Sequence, residues 1–420
     1  NHDIQLLWRT PLAGFPLGFG RFKNKEVVLA RNSSNIYDNN YSATLIDPQN
    51  GKITMQKQLY KGSDEFVEFA NLFFSETGDY FKFSVRVTAN KKKGAFNDFA
   101  ATTSFTIFSV NEHLDSESST VVTPAGGFVG AVSNKLGNVF LLTVKDRNSI
   151  SAAMYEDGKK DPVKIINQPL DGQVRAVLNK NLTKGFYYTD CNSSPLQLFW
   201  SVMIDEGKGK TLVVAKLDFS DGSHKITKQS FTSDTFKALE KGYVRINKNA
   251  GDPELGSASN LYIHSFYNLD DKVIIGTGTS SSSISTSTTW YWNRAEILNV
   301  FGPDLKLSFQ QIIPRYFVHV GMFENFSTIA YNFNREKHTL QFIANTQKGV
   351  NSSAALYGEM DIQSGKWLSM EMLPKSKVAS RAYVNGTSVI WNSKGLIIPY
   401  LDVKGLTQTK YDVFLKQYNY

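Results

Sequence analysis

Along most of its length the chain is written in short segments where apolar and polar residues alternate, separated by clusters rich in Gly, Asp, Asn and Ser. Alternation with a period of two marks a β-strand with two unlike faces, and helical periodicity is almost absent. The clearest case is residues 354–373, in which an apolar run leads into Asp361-Ile362-Gln363-Ser364-Gly365-Lys366 and out into a second alternating run. Such a pair predicts a β-hairpin, because Gly supplies a positive φ while Asp and Ser bond locally to the turn backbone. Asp47-Pro48-Gln49-Asn50-Gly51-Lys52 and residues 218–223 are strong copies of the same turn; weaker ones fall near 111, 157, 303 and 402. One short helix is expected over residues 235–239.

These turns recur at intervals averaging about 60 residues, the length of one four-stranded sheet with its loops. The spacing predicts an all-β chain and a β-propeller of about seven four-stranded blades, in a single domain over 1–420. The approximate blades are 1–62, 63–124, 125–172, 173–234, 235–315, 316–375 and 376–420. Closure is expected by pairing of the N- and C-terminal strands, residues 3–11 against the YDVFLKQY segment, which leaves no long free edge.

The motif D-x-x-(S/N/D)-G-K after an apolar run, as in LIDPQNGKI and MDIQSGKWL, resembles the outer hairpin of quinoprotein-like (PQQ-type) β-propeller repeats. Enzymes of that superfamily carry a docking tryptophan in each repeat, calcium ligands and often a vicinal cysteine pair. This chain has six Trp and one cysteine, Cys191. Trp367 falls where a docking Trp belongs, whereas Ile53 and Ile226 occupy comparable places in the other strong copies. The resemblance therefore implies the fold without a quinone, and no cofactor is expected.

Composition narrows the class. Apolar residues make up 41% and aromatic residues 13%, enough for a sizeable core and unlike a disordered chain. No apolar run is long enough for a transmembrane segment. The chain begins at Asn1 without Met, which fits removal of a leader, and a single cysteine allows no disulfide within the chain. N-glycosylation sequons stand at Asn32, Asn40, Asn181, Asn192, Asn325, Asn351 and Asn385. Together these features favour an extracellular protein, secreted or at the cell surface. The net charge of +8 comes from interspersed signs; Lys91-Lys92-Lys93 reads as a solvated hairpin tip, and no basic stripe with aromatics points to nucleic acid.

Recognisable catalytic motifs are missing: there is no serine-hydrolase elbow, zincin helix, phosphate loop, EF-hand loop or sialidase box. The six histidines (His2, His113, His224, His264, His319, His338) lie apart in sequence, so no metal site is expected. Asp270-Asp271 reads as a solvated turn. Two groups are candidates for ligand contact. Trp290-Tyr291-Trp292-Asn293-Arg294 follows a Ser/Thr tract, expected to be flexible, and offers flat rings for sugar faces beside hydrogen-bonding groups. The alternative is that strand alternation packs Trp290 and Trp292 between blades with Tyr291 opposite. Arg315, His319, Arg381 and Tyr383 lie near the starts of the sixth and seventh units, placed either to bind a ligand or to satisfy a buried network.

The leading expectation is a non-catalytic binding or adhesion protein that recognises protein or glycan through one propeller face, with oligomerisation possible. The alternatives are a structural component of a surface coat or filament, and a carbohydrate-active hydrolase or lyase whose acids come from separate blades.

Overall fold

A computed structural model describes residues 11, 13–32, 40–62, 67–75, 78–88, 102–123, 127–145, 148–157, 159–175, 186–190, 194–246, 252–269, 271–285, 288–320, 328–349, 352–373, 382–384, 389–392, 395–404 and 410–419. Among them the chain builds seven antiparallel sheets in series. The first comprises Phe15–Phe22, Lys25–Arg31, Asn40–Ile46 and Ile53–Lys61. The second comprises Val67–Phe74, Phe81–Thr88, Thr102–Val110 and Ser116–Val122. The third comprises Gly127–Ser133, Val139–Lys145, Ser149–Tyr155 and Lys164–Pro169. The fourth comprises Phe186–Asp190, Gln197–Glu206, Gly209–Asp218 and His224–Phe231. In these four, and in the sixth (Ala330–Asn334, Thr339–Gly349, Ser352–Asp361, Trp367–Met372), strand order follows chain order.

Two sheets depart from that plan. The fifth has five strands: Leu261–Leu269, Lys272–Ser285, Thr288–Phe301, Leu307–Ile313 and Phe317–Val320, the last pairing with the third beyond the fourth. In the seventh, Ala382–Val384 and Ile390–Asn392 pair with opposite ends of Gly395–Lys404, which pairs along its whole length with Lys410–Asn419. A serial array of antiparallel up-and-down sheets, about four strands each, is the β-propeller class of fold. The N-terminal strand expected at residues 3–11 falls, but for Pro11, outside the described residues, as does the lysine tip at 91–93. The turn expected near 402 lies instead inside a strand, where Asp402 pairs with Asp412.

The chain divides into two compact units, Asn1–Ile204 with Val214–Thr227 and Asp205–Val213 with Lys228–Tyr420. Within the first unit, Phe81, Phe83 and Val85 of the second sheet pack on Val27, Leu29 and Leu45 of the first. The opposite face of the second sheet, through Phe73, Phe105 and Ile107, packs on Ala131, Val139 and Leu141 of the third. The second unit repeats the scheme. Leu340, Phe342 and Met360 of the sixth sheet meet Ile274, Leu298 and Val300 of the fifth, while Ile343 and Ala355 meet Val384 of the seventh. Each buried side chain of this size contributes roughly 1.5–3 kcal/mol. The helix Ser233–Gly242 is longer than the expected 235–239; it is capped by Thr232, whose hydroxyl accepts from the Thr235 N–H, and anchored by Phe236.

The turns obey one rule. At Asp47, Asp218 and Asp361 the backbone carbonyl accepts from a glycine N–H four residues on (2.8, 2.8 and 2.9 Å), and those glycines, Gly51, Gly222 and Gly365, have φ of 70°, 86° and 71°. The aspartate side chain accepts from a backbone N–H inside the turn, as Asp218 does from Ser220 at 3.0 Å. Asn111 and Asn134 do the same with Oδ1, so turns without the motif keep its chemistry. Hydrogen bonding to Ser364 holds the Asp361 carboxyl below its ordinary value.

A Cβ on Gly365 would also lie 2.6 Å from the Phe309 ring. Gly365→Val therefore loses about 1–3 kcal/mol of stability in urea unfolding. Gly172→Ala, with open space around it, changes stability by less than about 0.5 kcal/mol. Equal effects of the two changes contradict this account.

Candidate functional site

The fifth sheet carries the residues of interest. Its two central strands run 14 residues each, and pairing with the first strand ends at Leu261↔Thr279. The remainder forms a three-stranded arm from Ser280–Ser285, residues 288–293 and Phe317–Val320. The Ser/Thr tract expected to be flexible is thus mostly strand. Its pairing comes from cross-strand partners, including Ser283↔Trp290 and Ser282↔Tyr291.

On this arm Trp290 and Tyr291 are 37% and 36% exposed, and Trp292 is half-buried. Alternation sets Trp290 and Trp292 on one face and Tyr291 on the other. Asn293 is buried, its Oδ1 accepting from the Tyr262 hydroxyl at 3.5 Å. Arg294 forms an ion pair with Glu254 and lies 5.6 Å from the Tyr316 ring centre. Arg315 is buried and donates from Nε to the Arg294 carbonyl at 3.2 Å. His319 pairs through its backbone with Tyr291, and Tyr383 with Leu401. Arg381 lies outside the described residues, as do Asn181, Asn192, Asn325, Asn351 and Asn385. Asn32 is exposed just beyond a strand end, its Oδ1 accepting from the Ser42 hydroxyl at 2.8 Å, and Asn40 opens the next strand half-buried.

Beneath the arm lies a network that sequence spacing gave no hint of. Glu296 is fully buried, and its Oε1 accepts from the Tyr331 hydroxyl at 2.5 Å. His264 stands at a bulge between Ile263 and Ser265, with Nδ1 3.6 Å from Glu296 Oε2. A Cβ on Gly276 would lie 2.0 Å from Glu296 Oε1, so only glycine lets the carboxylate lie against that strand. Burial pushes the His264 imidazole below its ordinary value, with Glu296 opposing and Arg315 reinforcing the shift. Burial, and then the Glu296 carboxylate, pushes the Tyr331 phenol well above its ordinary value and Tyr267 up to about 12. The arrangement locks a carboxylate to a tyrosine hydroxyl between two sheets and closes it to solvent. Among the described residues, no three His, Cys, Asp or Glu side chains gather as a metal-ligand set.

In the first unit, hairpin ends enclose a recess of about 430 Å³ whose lining includes Lys23, Tyr80, Lys82, His113 and Asp157. Lys82 is buried, donating to the Gly137 carbonyl at 2.6 Å and lying 3.0 Å from Asp157 Oδ1. Its ammonium is 5.7 Å from the Tyr80 ring centre. Burial pushes the amine below its ordinary value, although Asp157 pulls the other way. With both partners in place, Lys82 ties the second sheet to turns of the third.

No protein-family model matches the chain, and no curated protein does. Among solved structures it is similar to the β-propeller domain of the Trilobed protease from Pyrococcus furiosus, at 8% identity and a TM-score of 0.45, over 97% of this chain and 95% of that one. It is also similar to the polysaccharide lyase Uly1, at 10% identity and a TM-score of 0.46, over 98% and 91%. A prolyl endopeptidase is similar at 9% identity and a TM-score of 0.45, over 92% of this chain and 47% of that one. The chain thus spans about half the length of the prolyl endopeptidase. With its seven antiparallel sheets, the chain is a protein of the β-propeller class.

Two titrations test these assignments. Tyr267 and Tyr331 hold their protons more tightly when folded, so the unfolded chain releases them first above pH 10. Stability is then full below pH 10 and falls as pH rises through about 12. Tyr331→Phe flattens that fall and, by removing the donor to Glu296, costs about 1–3 kcal/mol at neutral pH; an unchanged alkaline slope rules it out. Lys82 has the opposite sign: the unfolded chain binds its proton more tightly between the lowered value and 10.5, so stability rises with pH across that interval. Lys82→Met removes the rise in pH-stepped denaturation, and persistence of the rise refutes the assignment.

Proposed function

We propose that this chain is a non-catalytic recognition protein, secreted or displayed at a cell surface, that binds glycan through the Trp290 and Trp292 face of the fifth-sheet arm. The observation that carries this reading is the placement of two indoles two residues apart on one strand face. Their spacing is about 7 Å along the strand, and Trp290 is 37% exposed. Flat aromatic faces at such a step suit stacking on neighbouring sugar rings, with little side-chain entropy lost on contact. Asn293 and Arg294 serve the ligand indirectly by holding the arm's base, Asn293 through Oδ1, which accepts from the Tyr262 hydroxyl, and Arg294 through its ion pair with Glu254.

Asn32, which opens a sequon and is itself exposed, supports an extracellular setting. The Asp47, Asp218 and Asp361 turns support repeats of the quinoprotein-like hairpin type, used here as scaffold. The carbohydrate-active alternative has less support, since Glu296 is sealed from solvent and bonded to a tyrosine. A glycan array with the full chain identifies the ligand. Trp290→Ala then weakens binding by at least about tenfold without lowering the melting temperature. Binding unchanged by Trp290→Ala, or a ligand set made up only of proteins, rejects the glycan reading.

A further inference from the structure

The interface between the second and third sheets is not filled along its whole length. On the third sheet Leu141 pairs with Ala153 and Thr143 with Ser151, and in an antiparallel sheet such partners share one face. Val139 and Tyr155 continue that face into the packed core, where Val122 of the second sheet belongs to the same cluster. From Tyr155 through Ala153 to Ser151 the side chains become small, and a cavity of about 310 Å³ lies against them, walled by Val122, Leu141 and Pro162. Its rim carries Val121 and Ile165, both exposed, so the way in is apolar.

Hydroxyl groups set the chemistry of this cleft. Tyr155 and Ser151 are each 6% exposed, both line the cavity, and neither hydroxyl has a hydrogen-bond partner among the described residues. Buried hydroxyls nearly always find a partner, so two left open to one cavity point to a ligand that supplies it. Thr143 beside them is already engaged, donating from Oγ1 to the Ser151 carbonyl at 3.4 Å. Burial, reinforced by the Asp161 carboxylate, pushes the Tyr155 phenol above its ordinary value, which keeps it a donor. Solvent alone would satisfy the hydroxyls but leave the apolar walls wet.

The charged groups narrow the ligand further. Among the described lining residues they are Lys160 and Asp161, adjacent in sequence and both exposed. An ionic ligand would be attracted by one and repelled by the other, and against Ser151 and Tyr155 it would find no counter-ion to offset its desolvation. We infer that this cleft binds a small uncharged molecule whose apolar body is a single substituted ring and whose hydroxyl or carbonyl oxygen bonds to Tyr155 and Ser151. The site is separate from the tryptophan arm, and it stands or falls independently of the glycan reading.

Benzyl alcohol, toluene, benzoate and benzylamine share one ring and differ in the group it carries, so titrating each into the full chain by saturation-transfer NMR tests the assignment. Benzyl alcohol is expected to bind saturably, and each of the other three at least about tenfold more weakly. Tyr155→Phe keeps the ring and removes the hydroxyl; it lowers the affinity for benzyl alcohol about tenfold and leaves toluene binding and the melting temperature unchanged. Ala153→Leu places a larger side chain against the cavity and abolishes binding of both. The inference is overturned if benzyl alcohol shows no saturable binding up to about 10 mM, if toluene or either ion binds more tightly, or if Tyr155→Phe leaves affinity unchanged. In the first case the cleft holds solvent only.

Discussion

The structure depends on sheets that bury both of their faces against neighbours, as the second and the sixth do. An isolated four-stranded sheet with Phe81 and Phe83 on one side and Phe105 and Ile107 on the other has no stable state in water. Placed between its neighbours, the same sheet has no apolar face left over. This explains why sequence-local features and sheet-to-sheet packing converge on the same residues. Gly365 makes a turn possible by its φ and makes room for Phe309 by its missing side chain. The last strands of the first and fourth sheets, Ile53–Lys61 and His224–Phe231, are mostly polar and largely exposed or half-buried, as expected where layering ends.

Polar groups set within these interfaces fix which surfaces meet. The Trp200 indole N–H donates to Gln168 Oε1 at 2.7 Å, joining the third and fourth sheets. Asn345 exchanges two hydrogen bonds with the Val384 backbone at 2.7 and 2.8 Å, joining the sixth and seventh. Apolar faces of similar composition would tolerate a slip of register. A buried amide that has lost its partner would cost about 1–3 kcal/mol, so such pairs choose one alignment. The Glu296–Tyr331 bond does the same between the fifth and sixth sheets, with a charge at stake.

Much of this was legible in the residues, for an identifiable reason. A turn is a local object, and Asp followed four residues later by Gly announces one at 47, 218 and 361. Alternation announced strands, though it did not say that both faces are covered. In the run FKFSVRV, alternation sets Lys82 opposite Phe81 and Phe83, and only the packing of that face on the third sheet buries the lysine. The stretch at 280–289 suggests flexibility because Ser and Thr show no apolar alternation; cross-strand pairing, invisible to a linear reading, makes most of it strand. His264, Glu296, Arg315 and Tyr331 come from four separate segments, so no spacing rule could have gathered them.

The fifth sheet suggests how such a scaffold acquires novelty. Its first 8 residues of pairing, from Leu269↔Lys272 to Leu261↔Thr279, belong to the packed layer, and the rest of the hairpin is an outgrowth. Lengthening two adjacent strands adds backbone partners to each other and asks nothing of the layers below. Selection can therefore rewrite the tip freely while the foundation stays under strict constraint, and exploration is confined to the part of the molecule where errors are least harmful.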